Sequence, residues 1–247
     1  MIVRPEQMEK FASADSPQFE ANAVLHVQEN FPKHAGFLGE NGVKDLVQYG
    51  RKQAAGYGFL SSAHVTLYID LMLLLGRGFD SDPQLPWAAS ALTGKKSKPD
   101  EKAEVLHQRA MDYLDLVSGP ANEFIDAAQS RLLQEPLEIP SAPAAFMKEL
   151  TSRLKKVFPE KALYLGDDGL GELIRAAAAA SGKYELSKPQ GVMLFAGMMF
   201  LLGSSFDSDP LFGWATTILK DKRNASSDER IQHLHAAGIS YLKQWCA

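Results

Sequence analysis

Read for the spacing of its apolar residues, the chain predicts helix from end to end. Apolar positions recur three and four apart, and no segment sustains the apolar–polar alternation with β-branched enrichment that a half-buried strand requires. The first predicted helix runs from about Ser16 to Asn30, with Phe19, Ala23, Val24 and Val27 on one stripe. Phe31-Pro32 ends it, because a residue before proline is pushed out of the helical region. The second spans about Asn41 to Tyr57 around Val43, Leu46 and Val47, with Gly56 and Gly58 as its stop. A third, capped by Ser61 or Ser62, reaches Leu75, and its all-round apolarity from Leu67 to Leu75 marks it as the most buried. Asp82-Pro83 is expected to open a fourth helix ending near Gly94, and Asp100-Glu101 a fifth ending near Val117. Ser118-Gly119-Pro120 then breaks the chain. Ala121 to Gln134 reads as a short connecting helix, and Pro136, Pro140 and Pro143 as a stiff linker lacking three backbone donors.

The same pattern then returns. Phe79-Asp80-Ser81-Asp82-Pro83 recurs as Phe206-Asp207-Ser208-Asp209-Pro210, 127 positions later (80 to 207), with a tryptophan four residues after each proline, Trp87 and Trp214. The offset also carries Phe19 to Phe146, Phe31-Pro32 to Phe158-Pro159, Gly39 to Gly166 and Tyr57 to Tyr184. After one inserted residue it becomes 128 (100 to 228) and carries Asp100-Glu101 to Asp228-Glu229, His107 to His235 and Tyr113 to Tyr241. Self-similarity of this kind reads as a tandem duplication. The expected fold is therefore all-α: a roughly five-helix unit over residues 1–118, a connecting helix and Pro-rich linker over 119–143, and a second unit over 144–247. In the second copy Asp167-Asp168 or Gly169 is expected to open the second helix. Its run Ala176 to Ala180 suits close approach to a neighbour.

Composition narrows the function classes. The 247 residues carry a formal charge of −4, which argues against a general nucleic-acid binder and suits a basic protein partner. A single cysteine, Cys246, excludes an internal disulfide framework and any multi-cysteine metal site. The opening Met1-Ile2-Val3-Arg4-Pro5-Glu6 is too short and too charged for a secretory signal, so a cytoplasmic location is expected. The longest uncharged run, between Lys188 and Asp207, holds Pro189, three glycines and two serines, and reads as a buried central helix rather than a membrane span.

The motifs yield little catalytic chemistry. Two carboxylates two apart in the Phe-Asp-Ser-Asp-Pro loop invite a hard cation, but an EF-hand would need further oxygen ligands and a closing Glu. Asp82 and Asp209, each directly before a proline, read instead as helix N-caps ahead of Pro83 and Pro210. Phe79 and Phe206 are placed to pin the turn, with Trp87 and Trp214 packing below. Gly166-Asp167-Asp168-Gly169-Leu170-Gly171 lacks the strand and the Gly-Lys-Ser/Thr of a phosphate loop and reads as a turn into a helix. His26, His34, His64, His107, His233 and His235 form no HExxH frame. Asp70, in an otherwise apolar helix, comes nearest to a perturbed acid, and a hydrolase would need it to converge with Asp80 or His64. The Met-rich stretch Val192 to Phe200 reads as core, with a groove for a partner as the lesser alternative. No cofactor and no metal is expected.

The segments Tyr68-Ile69-Asp70-Leu71-Met72, Gly76, Phe79-Asp80-Ser81-Asp82-Pro83 and Pro86-Trp87-Ala88, with the opening Met1 to Met8, resemble a poorly characterised bacterial family. Its members are small helical proteins encoded beside effectors of type VI secretion systems. The likeness covers the first copy; in the second, Tyr68, Asp70 and Pro86 become Phe195, Gly197 and Gly213. It implies a non-enzymatic protein that binds a neighbouring effector: in the first place a cytosolic immunity protein neutralising a toxin, with a chaperone or adaptor that loads the effector as the alternative. Neither nucleic acid nor membrane is an expected partner. On charge and loop position alone, the expected partner-binding residues are Asp80, Asp207, Asp221, Asp228, Glu229, Glu40, Asp167 and Asp168.

Overall fold

A computed structural model describes Ala14 and residues 17–94, 98–134, 145–222 and 225–246. Among these residues there are eleven α-helices and no strand. The chain divides into two compact units, Met1–Met111 with Asp209–Leu211, and Asp112–Ser208 with Phe212–Ala247.

In the first unit, α1 (Pro17–Asn30) and α2 (Pro32–Gly56) pack on one another and on α3 (Ser62–Leu75). A 3-10 turn at Phe79–Ser81 leads to α4 (Pro86–Thr93), and α5 (Pro99–Ser118) follows. Phe19, Ala23 and Val27 are the buried stripe of α1, and Val43, Leu46, Val47, Gly50 and Ala54 that of α2. The close spacing of Gly50 against Ile69, where a Cβ would come within 2.7 Å of a side-chain carbon, fixes how tightly α2 lies on α3. Ser61 caps α3 by accepting the His64 N–H at 3.3 Å, and from Ser62 to Leu73 only Thr66 escapes full burial. A helix apolar on every side has to be central.

The second unit takes in the end of α5, from Asp112, and then α6 (Glu123–Leu132), which packs on α7 (Phe146–Val157). Arg131 reinforces that contact by donating to the Val157 carbonyl at 3.3 Å. Then come α8 (Pro159–Lys183), α9 (Pro189–Leu202), α10 (Gly213–Lys220) and α11 (Ser227–Cys246). Pro136, Pro140 and Pro143 lie outside the described residues. Four pairs of helices match in length: α2 and α8 have 25 residues, α3 and α9 have 14, α4 and α10 have 8, and α5 and α11 have 20, whereas α1 has 14 and α7 has 12. Polar ties recur too. His34 makes a hydrogen bond to the Leu73 backbone and Lys161 donates to the Phe200 carbonyl, at the same place in the two halves. Lys102 donates to the Tyr57 carbonyl at 3.3 Å, and Arg230 to the Tyr184 carbonyl at 2.8 Å.

Two expectations need correction. The second helix does not begin at Asn41, nor its counterpart at Asp167. Both start directly after Phe31 and Phe158 and pass through a break at Gly39 (φ 67°, ψ 173°) and Gly166 (φ 66°, ψ 178°). That conformation is open to glycine alone, so helix resumes beyond it rather than starting there. The fourth helix does not begin at Asp82-Pro83. Asp82 accepts the Gln84 N–H at 2.9 Å and its carbonyl accepts the Leu85 N–H at 2.8 Å, which closes a turn, and α4 starts at Pro86. Asp209 likewise accepts the Leu211 N–H at 3.0 Å at the head of a 3-10 turn, Pro210–Phe212, and α10 starts only at Gly213. Each aspartate closes a turn ahead of the helix. Of the alanine run, only Ala177 is fully buried.

Candidate functional site

The repeated loop is anchored inward. Phe79 and Phe206 are fully buried, the first 5.0 Å from the Tyr68 ring and the second 5.3 Å from that of Phe195. Between them and the surface, Asp80 Oδ2 accepts hydrogen bonds from Tyr57 at 2.8 Å and Tyr68 at 2.6 Å. Asp207 accepts one from Tyr184 at 3.0 Å, the other donor being lost because Phe195 stands where Tyr68 does. Burial, with the adjacent carboxylate, pushes the Tyr57 and Tyr184 phenols up to about 12 and Tyr68 higher still. Asp80 and Asp207, expected as partner contacts, are thus the acceptors that hold the loop to the helices. Asp82 and Asp209 are buried; in the first unit Asp209 accepts the Arg77 N–H at 2.8 Å, and burial raises its pKa. Trp87 and Trp214 are half-buried, and Trp214 lies 5.9 Å from Tyr241.

The other expected contacts scatter. Glu229 and Ser226 form a reciprocal capping box at the start of α11, the Ser226 N–H donating to Glu229 at 2.8 Å and the Glu229 N–H to Ser226 at 3.3 Å. Its carboxylate is therefore structural. Glu40 pairs with Lys44 (2.7 Å), Asp167 with Lys155 (2.5 Å) and Asp228 with Lys188 (2.6 Å), all at the surface. Asp168 is exposed and Asp221 half-buried. Glu40 belongs to the first unit and the others to the second, so they make no single cluster.

The groups a hydrolase would need are also parted. Asp70, with none of its surface exposed, accepts from His26 Nε2 at 2.7 Å, and the Asn30 amide lies 3.2 Å from His26 Nδ1. His64 faces Asp100 at 3.0 Å, and burial lowers its pKa. Asp80 is held by tyrosines, as described. Among the described residues no three His, Cys, Asp or Glu side chains gather as metal ligands.

What does gather is an apolar groove in the second unit, of about 110 Å³. Its floor is α9, through Met193, Leu194, Gly197 and Met198; α7 supplies Leu150 and Leu154, and α11 supplies Gly238, Ile239 and Leu242. The amphipathic stripe of α7 and the apolar run Val192–Leu202 of α9 face each other here because both must bury those surfaces. The rim carries Arg153 and His235. Arg153 donates to Glu149 at 2.9 Å, and its other terminal nitrogen lies 3.5 Å from Met193 Sδ. Burial lowers the pKa of His235, and among the described residues Arg153 is the lining residue with a fixed charge. The sequence pointed to the stretch Val192 to Phe200, which contains Gly197 and the methionines, but not to Arg153 or Gly238. The available signal was divergence between the halves: the corresponding positions of α1, α3 and α5 hold His26, Asp70 and Ala110.

No described helix is long and apolar enough to cross a membrane. Comparison with protein-family models, characterised proteins and solved structures finds no match.

Proposed function

We propose that the chain is a non-enzymatic binding protein for a secreted effector, built by duplication of one helical unit, and that the groove of α7, α9 and α11 is where it engages that partner. The Met-lined groove carries this reading, since unbranched, polarisable side chains suit a surface that adapts to apolar protein segments. At about 110 Å³ it is well below the roughly 300 Å³ or more of sites that enclose a metabolite or cofactor. Of the two roles the resemblance implies, an adaptor that holds an apolar stretch of the effector is favoured over an immunity protein. An immunity protein would be expected to meet a basic toxin with acids, and Asp80, Asp207 and Glu229 have intramolecular duties.

The test is co-expression of the tagged protein with the genes that flank its own, followed by mass spectrometry of what is retained and by mapping of the retained domain. Retention through an apolar segment, with no rescue of growth, is the expected result. Retention of a toxic domain with rescue of growth would favour immunity, and no retained partner would sink both roles.

A further inference from the structure

From Gly197 and its surroundings we infer that the groove contains an anchor pocket for one side chain of leucine, methionine or phenylalanine size, presented by a partner protein segment with an acidic residue beside it to meet Arg153. This rests on the effector-binding reading and names the chemistry it would recognise.

The first support is that Gly197 has no structural reason to be glycine. It lies in the interior of α9, where glycine costs about 1 kcal/mol against alanine. Its φ is not positive, and a Cβ built on it would meet nothing within 4 Å. What the missing side chain leaves is space at the floor of the groove. At the corresponding ninth position of the 14-residue α3 stands Asp70, buried and bound to His26. In the first half the place is therefore plugged by an acid–imidazole pair; in the second both members are replaced, by Gly197 and Arg153, and the place is open.

Gly238 adds to this. Alanine holds its counterpart, Ala110, whereas a Cβ at Gly238 would come within 2.8 Å of the Met198 methyl. The missing methyl group makes room for the end of Met198, an unbranched side chain of the groove lining whose several rotatable bonds let it repack around an occupant. The size is decisive for the class of occupant. An apolar cavity of about 150 Å³ accepts benzene, so 110 Å³ suits a single apolar side chain. One filled pocket at the centre of an interface is how a few residues come to dominate its affinity.

The charge at the rim sets the neighbour. Arg153 is the fixed cation, and one of its partners, Glu149, is an i,i+4 residue on the surface of the same helix. Such a pair contributes little and is exchanged at small cost for a carboxylate brought in by the partner, which a guanidinium can grip bidentately.

The direct test uses the full chain labelled with ¹³C at the methionine methyls, titrated with 4-methylpentanoate (a leucine-like branch bearing a carboxylate) and with 4-methylpentan-1-ol as the neutral control. The expected result is movement of the Met193 and Met198 signals, with Met72 and Met111 unmoved, at dissociation constants on the order of millimolar for so few atoms. Gly197→Leu fills the pocket from within and is expected to weaken both probes by about tenfold or more while the remaining spectrum stays folded. Arg153→Gln is expected to remove the preference for the acid over the alcohol, about three- to tenfold, and leave the alcohol unchanged. No movement of the two methyls, or equal movement in Gly197→Leu, would overturn the pocket. An acid preference that survives Arg153→Gln would overturn the acidic neighbour. Gly197→Leu should also lose the co-purified effector. An effector retained by that variant would leave the effector-binding reading standing and overturn the anchor.

Discussion

At the residue scale, the repeated loop is held by carboxylates whose partners can be counted. Asp80 takes two phenols where Asp207 takes one. Tyr68→Phe copies into the first unit the state the second already has, and is expected to cost about 1.5–3 kcal/mol, the worth of one hydrogen bond to a charged group. Asp80→Ala leaves two partly buried hydroxyls unsatisfied and should cost more than Tyr68→Phe; chemical denaturation of the two variants checks the order. His34 gives a pH dependence with a defined sign. Burial pushes its pKa from 6.5 down to about 4, so on acidification the unfolded chain takes up this proton before the folded one does. Stability present at pH 7 is therefore lost as pH falls from about 6.5 through about 4, by on the order of 2 kcal/mol once partial exposure is allowed for. His64 and His235, also lowered, act in the same direction. Unfolding measured across that window should show a shallower slope in His34→Gln.

At the scale of elements, the two long helices each depend on one glycine. A Cβ at Gly39 or Gly166 would meet no atom within 4 Å, so any cost of alanine there comes from the backbone alone. Gly39→Ala and Gly166→Ala are each expected to destabilise by about 1–3 kcal/mol, and by similar amounts, because φ and ψ agree within a few degrees. Thermal or denaturant midpoints of the two variants would test that equality. These glycines also show what was legible in the sequence. Elements α1, α3 and α5 emerged within a residue or two, since an apolar stripe, a serine cap and an Asp-Glu first turn are local signals. The residues Pro32–Leu38 were not recognised as helix, because a glycine cluster looks the same whether it starts a helix or interrupts one. Asp82 and Asp209 read as structural but as helix caps rather than turn closers, and Asp80 and Asp207 read as partner contacts rather than as acceptors for the tyrosines. Distinguishing a turn from a helix start needs the backbone geometry of the three residues that follow. The groove was half legible: methionines in an apolar run mark adaptability, but emptiness arises from which helices meet, and a single sequence does not state that.

At the scale of the molecule, two halves of similar elements differ at one helix position where one keeps a buried pair and the other a space. Alanine at the same helix position should therefore act with opposite sign in the two halves. Asp70→Ala strands His26 beside a buried void and is expected to lose about 3 kcal/mol. Gly197→Ala adds a methyl group where nothing lies within 4 Å and is expected to gain about 0.5–1 kcal/mol from helix propensity. Comparing the two unfolding free energies decides it: losses in both would mean that Gly197 is held by packing, and the space would lose its significance.

The aromatic stack of α11 has a practical consequence. Tyr241 lines the groove, lies 5.5 Å from Phe212 and 5.9 Å from Trp214, and stacks on Trp245 at 6.0 Å with ring planes 25° apart. Two indoles and a phenol this close share their electronic transitions, so their near-ultraviolet dichroism and emission respond to anything that shifts the tyrosine. In a Trp87→Phe background the indole light comes from the second unit alone. The molecule then carries a built-in optical gauge of its own groove, readable in dilute solution and without any label.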